Sequence, residues 1–138
     1  MKIDVLDRSN YLKGLLVLIG KDNLISEEER ELFMKVGNKL GFEKQFCTTA
    51  INEILENEYI SSEPPIYSNQ AIAKSFIIDG IKLSFIDHDY DSREIDYLKA
   101  TAKVNKIDGV WIDNAIKNAW KYKANVKESI VLEIENHL

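Results

Sequence analysis

Apolar residues recur along this chain at helical spacing, and the breaks between the runs carry helix caps. Tyr11, Leu12, Leu15, Leu16, Val17, Leu18 and Ile19 cover more than one face between about Asn10 and Gly20, the pattern of a helix near the centre of a bundle. Asp7 or Ser9 is placed to cap it. Lys21 to Ile25 break the run. Ser26 followed by Glu29 then makes a capping box, in which each side chain satisfies the other residue's backbone N–H and a second helix opens. That helix carries Leu32, Phe33, Val36 and Leu40 on one face and Glu27, Glu31, Lys35 and Asn38 on the other, and Gly41 ends it. A third helix, about Glu43 to Asn57, holds the cleanest stripe in the chain: Phe46, Cys47, Ala50, Ile51, Ile54 and Leu55.

Both prolines, Pro64 and Pro65, fall in the segment Glu58 to Asn69, which therefore connects two helical halves. A fourth helix is expected after Ser68 and up to about Ile86, with Ile72, Phe76, Ile77, Ile81, Phe85 and Ile86 as its apolar content. An acidic turn follows, in which Asp91 takes the N-cap place, Glu94 the third helical position, and Tyr90 and Ile95 the spacing of a hydrophobic staple. The fifth helix runs to about Asn105. Asp108 caps a sixth, whose stripe is Trp111, Ile112, Ala115, Ile116, Ala119 and Trp120. Val126, Ile130, Val131 and Ile134 extend an apolar face beyond Tyr122, as a continuation or as a seventh helix broken near Asn125. Only Lys2 to Leu6 offers any strand signal.

The two sets of three helices match at a constant offset of 65 residues. Leu18 pairs with Leu83, Asp22 with Asp87, Glu29 with Glu94, Ala50 with Ala115 and Ile51 with Ile116, and the whole stripe of the third helix returns in the sixth. The expectation is one all-α domain over residues 1–138, a bundle of six to seven helices. Two related three-helix halves, about 11–57 and 76–122, flank a linker over about 58–69.

Composition narrows the function classes. A formal charge of −5 argues against a protein built to grip phosphate backbones, which needs clustered Lys and Arg, so no nucleic-acid partner is expected. Leu15 to Ile19 is far shorter than the roughly 20 residues that cross a bilayer, so direct membrane insertion is not expected either. The single cysteine, Cys47, permits no intramolecular disulfide, and no zinc-type spacing exists. With no secretory signal pattern at the start, a cytoplasmic location is expected.

The candidate chemistry lies in two acidic stretches, 22–29 and 87–94. Carboxylates are hard ligands that suit calcium, magnesium or manganese, and the candidate metal ligands are Asp22, Glu29, Asp87, Asp89, Asp91 and Glu94. Asp22 and Asp87 follow the C-terminal end of a helix, where the dipole disfavours an anion and a bound cation would reverse that penalty. Against this, Glu29, Asp91 and Glu94 are accounted for as helix-start devices. Asp87, Asp89 and Asp91 match the first three ligand positions of an EF-hand, but Ser92 stands where its glycine should be and Leu98 where its bidentate glutamate should be, so a standard EF-hand is rejected. Cys47, Trp111 and Trp120 fall on buried-face stripes and read as core, whereas His88 reads as a solvated turn residue and His137 as tail. No nucleophile motif or Gly-rich phosphate loop is present.

An acidic turn of the form Asp-Gly-x-Ile-Ser-x-x-Glu after an apolar helix, repeated once in an all-helical domain of this length, resembles the tellurite-resistance TerB family. Here it stands as Asp22-Asn23-Leu24-Ile25-Ser26-Glu27-Glu28-Glu29 and Asp87-His88-Asp89-Tyr90-Asp91-Ser92-Arg93-Glu94, with Asn23 and His88 in the place of the usual glycine. The resemblance covers about Tyr11 to Tyr122. It implies an all-α fold, metal binding by the acidic residues, association with stress-response or membrane-linked complexes, and use as a module in larger proteins. The functional expectation is a non-enzymatic module that binds a divalent cation or docks a protein partner. A metal-dependent enzyme using the paired carboxylates, or a purely structural protein-interaction domain, are the alternatives.

Overall fold

The computed structural model describes residues 3–20, 25–56, 63–85, 92–121 and 132–138, without the side chains of residues 55, 56, 120 and 121. Among these residues it is an all-α bundle: α1 (Val5–Ile19), α2 (Glu27–Lys39), α3 (Lys44–Glu56), α4 (Gln70–Phe85), α5 (Ser92–Val104), α6 (Gly109–Lys121) and a closing 3-10 helix, Glu133–His137. No described residue is in a strand.

Each helix of the second half starts 65 residues after its counterpart: Val5 and Gln70, Glu27 and Ser92, Lys44 and Gly109. The agreement extends to backbone detail. α2 ends in a turn where Phe42 N–H donates to the Gly37 carbonyl at 2.9 Å and Gly41 N–H to Asn38 at 3.0 Å, and α5 repeats it with Ile107 to Ala102 at 2.9 Å and Lys106 to Lys103 at 3.1 Å. This closure requires a left-handed residue. The two positive φ angles of the described chain fall there, on Gly41 at 90° and on its counterpart Lys106 at 59°.

α1 begins earlier than periodicity indicates. Asp4 accepts from Asp7 N–H at 2.8 Å and is the N-cap, in place of the expected Asp7 or Ser9. Val5 and Leu6 thus lie in a first helical turn rather than a strand, both exposed. Asp7 is instead buried, and its carboxylate accepts from Ser68 N–H at 3.0 Å and from the Ser68 hydroxyl. The end of the expected linker is therefore part of the fold. Tyr67 is buried, donates its backbone N–H to Asn105 Oδ1 at 2.9 Å, and donates its hydroxyl to the Asn10 carbonyl at 3.1 Å.

α1 and α4 form the centre, each touching helices of both halves. Tyr11, Leu15, Leu18 and Ile19 share one core with Phe76, Ile77, Ile81, Leu83 and Phe85, all fully buried. The crossing is close because Gly14 has no side chain: a Cβ there would stand 2.7 Å from the Phe76 ring. Tyr11 and Phe76, equivalent residues of the two halves, meet edge to face at 5.4 Å. The equivalents of Gly14 and Phe76 are Asp79 and Tyr11, and they too touch, through a 2.5 Å hydrogen bond from the Tyr11 hydroxyl to Asp79 Oδ2.

Ala50, Ile54, Ala115, Ile116 and Ala119 of the two stripes pack against the core while only partly buried, and the two large aromatic residues depart further. Phe46 is 55% exposed because it stacks on Phe42 at 5.4 Å instead of turning inward. Trp111 is only partly buried, with Lys74 Nζ 5.3 Å over its ring. Cys47 is in the core as expected. Of the apolar residues after Tyr122, Ile134 is fully buried in the 3-10 helix, while Val126, Ile130 and Val131 lie outside the described residues. His137 is not free tail, since its Nε2 lies 2.8 Å from the Ser75 hydroxyl.

Candidate functional site

Four of the six candidate ligands, Asp22, Asp87, Asp89 and Asp91, lie outside the described residues, as does His88. Glu29 and Glu94 are described, at equivalent places in the first turns of α2 and α5, and both are buried, at 4% and 3% exposure. Glu29 is engaged by its own helix: its Oε1 accepts from Ser26 N–H at 3.0 Å while Ser26 Oγ accepts from Glu29 N–H at 3.1 Å. A carboxylate held this way and shut from solvent fits a cap better than an open metal ligand. Among the described residues, no three His, Cys, Asp or Glu side chains are grouped to hold an ion.

A different carboxylate dominates the interior electrostatics. Asp79 sits mid-way along α4 at 1% exposure and accepts three hydrogen bonds: from the Tyr11 hydroxyl, from Glu133 N–H at 2.7 Å and from Ile134 N–H at 3.1 Å. It caps the start of the closing 3-10 helix from across the core. Burial raises its pKa from 3.8 to about 6, against the opposing pull of the Tyr11, Glu133 and Ile134 donors and of Lys82. Burial likewise lifts the Tyr11 phenol well above its ordinary value, with the Asp79 charge adding to it. Lys39 to Glu135 at 3.1 Å and Lys82 to Glu133 at 3.7 Å strap the same segment from outside, and the hydrogen bond from Lys39 holds the Glu135 carboxyl below its usual range. Leu132 and Ile134 are buried beneath, each contributing roughly 1.5–3 kcal/mol.

Sequence periodicity passes over Asp79, yet a signal exists. The acid interrupts the run Phe76-Ile77-Ile78-Asp79-Gly80-Ile81, and an acid within a run apolar on both sides is buried and must find donors.

The open surface between helices is also duplicated. A groove of about 480 Å³ lies between α4, which contributes Ile78, Ile81 and Lys82, and α6, which contributes Trp111, Asn114, Ala115, Asn118 and Ala119. Its counterpart between α1 and α3 has about 210 Å³ and includes Lys13, Leu16, Phe46 and Ala50, the residues equivalent to Ile78, Ile81, Trp111 and Ala115. The stacked Phe42 and Phe46 occupy the smaller groove.

No described helix is long and apolar enough to cross a membrane. Comparison of the chain with protein-family models, with curated proteins and with solved structures returns no match.

Proposed function

We propose that this chain is a non-enzymatic, TerB-like helical module of the cytoplasm, acting in a stress response by binding: its duplicated acidic stretches take up a divalent cation or dock a protein partner. The observation that carries the reading is the in-register duplication of the two helix junctions. α2 and α5 begin 65 residues apart, α1 and α4 end within one residue of that register, and Glu29 and Glu94 are buried alike in the first turns that follow. This leaves the acids that follow α1 and α4 in sequence, Asp22 and Asp87, as the repeated carboxylates that capping does not use. Binding rather than catalysis is supported by the duties of the described buried acids. Asp7 holds Ser68, Glu29 caps α2 and Asp79 holds the 3-10 helix, each in a structural bond.

Calorimetric titration of chelator-treated protein with calcium, magnesium and manganese, repeated on Asp22→Asn and Asp87→Asn, tests the cation. Saturable heat that the substitutions abolish supports it; no heat and no shift in melting temperature at millimolar ion removes it. A host protein retained on the immobilised chain and lost on the doubly substituted chain supports the partner instead.

A further inference from the structure

The two equivalent grooves differ in size and in the polar groups they present, and the larger selects a ligand. Where the first half places Phe46 on Phe42 and leaves about 210 Å³, the second leaves about 480 Å³ beside a partly buried Trp111. Sites for small molecules occupy about 300–1,000 Å³ and are apolar with a few directed polar groups, so only the second falls in that range. Each described lining holds one cation, Lys13 in the first and Lys82 in the second, and no carboxylate, but the second adds two amides, Asn114 and Asn118, in a chain of net charge −5.

We propose that the α4–α6 groove binds a small amphipathic monoanion, a carboxylate on an acyl or aryl body, in addition to whatever the acidic stretches bind. The body lies on Ile78, Ile81, Ala115 and the Trp111 ring, and the carboxylate meets Lys82 with amide donors from the asparagines. The groove is long enough for this, since Trp111 and Ala119 are eight residues apart on α6, about 12 Å at 1.5 Å per residue. Lys82 already holds an anion there, the chain's own Glu133 carboxylate at 3.7 Å from its Nζ, and the ligand carboxylate takes a shorter, charge-assisted contact in its place. Lys74 over Trp111 keeps the other end cationic too, which disfavours a positively charged ligand.

The test is a titration of the full chain with dodecanoate below its micelle concentration, followed by amide chemical shifts and tryptophan fluorescence, with dodecanol and dodecyltrimethylammonium in parallel. The expected result is saturable one-to-one binding of dodecanoate with shifts centred on Ile78, Ile81, Trp111 and Ala115, and weaker binding of the other two. Lys82→Met, which keeps the stem and removes the charge, should weaken dodecanoate by about tenfold and leave dodecanol unchanged. Ala115→Phe, which imports an aromatic ring as in the first groove, should abolish binding. Absence of saturable shifts in the unsubstituted chain, equal affinity for all three amphiphiles, or full affinity in Lys82→Met would overturn the proposal. An acidic amphipathic peptide that binds these residues while dodecanoate does not would overturn it in favour of a docked protein.

Discussion

Replacing Asp79 by asparagine should change the pH dependence of stability more than stability itself. The Asp79 carboxyl is buried and its pKa lies at about 6 rather than 3.8 because burial penalises the charge. A carboxyl raised in the folded chain binds its proton more tightly there than in the unfolded chain. Its contribution to stability is therefore complete below about pH 3.8 and is lost as pH rises through about 6. The interval corresponds to roughly 3 kcal/mol, with a slope near 1.4 kcal/mol per pH unit inside it. Asparagine is neutral throughout and contributes no such slope. It also keeps only one acceptor oxygen, whereas Tyr11 and Ile134 donate to Oδ2 and Glu133 to Oδ1, so at least one donor is left facing the amide at a pH-independent cost of about 1–3 kcal/mol. The unsubstituted chain should thus be clearly the more stable at about pH 4, and the gap should shrink by about 2.5 kcal/mol by about pH 7.5. Urea unfolding at several pH values, with unchanged m, reads this directly. A gap constant across that range would refute the assignment of a raised Asp79.

Other positions give simpler expectations. Gly14→Ala places a Cβ 2.7 Å from Phe76 and 3.2 Å from Pro65 at the centre of the bundle, and should lower stability by about 1–3 kcal/mol in thermal unfolding. Lys106→Gly relieves a non-glycine φ of 59° at the place where the first half already has Gly41, and should raise stability by about 0.5–1 kcal/mol in urea. Ser26→Ala removes the oxygen that accepts from Glu29 N–H and should cost about 1 kcal/mol by the same measurement.

Local signals were legible and remote ones were not. The Ser26–Glu29 box and the Asp108 cap sit within a few residues of the N–H groups they satisfy, so they can be read directly and the helices they open begin where expected. The start of α1 escaped because Val5 and Leu6 point outward, giving no inward stripe to extend back to Asp4. Phe46 follows the periodicity of a core residue, but its environment is set by Phe42, which lies before the helix and stacks on it. Asp79 is harder still. Its partners are Tyr11, 68 residues before it, and Glu133 and Ile134, 54 and 55 after it, so no window on the sequence contains them. The α4–α6 groove is less visible again, because it is space that side chains leave empty, and the contrast between Ile107-Trp111 and Phe42-Phe46 becomes meaningful only when the helices are packed.

The exchange of Gly14 and Phe76 for Asp79 and Tyr11 carries a consequence for how such a chain can vary. Contacts that map onto one another when the halves are interchanged are those of two identical units paired about a two-fold axis, where residue i meets j and j meets i. In a pair of separate, identical chains, a substitution on one side of that axis is copied to the other, and an acid at this place would bring two like charges into one interior. Joined in a single chain, the sides are inherited independently. One side has a bare backbone that permits close approach, and the other has a carboxylate that fastens a distant segment, so the two halves do different work at equivalent places.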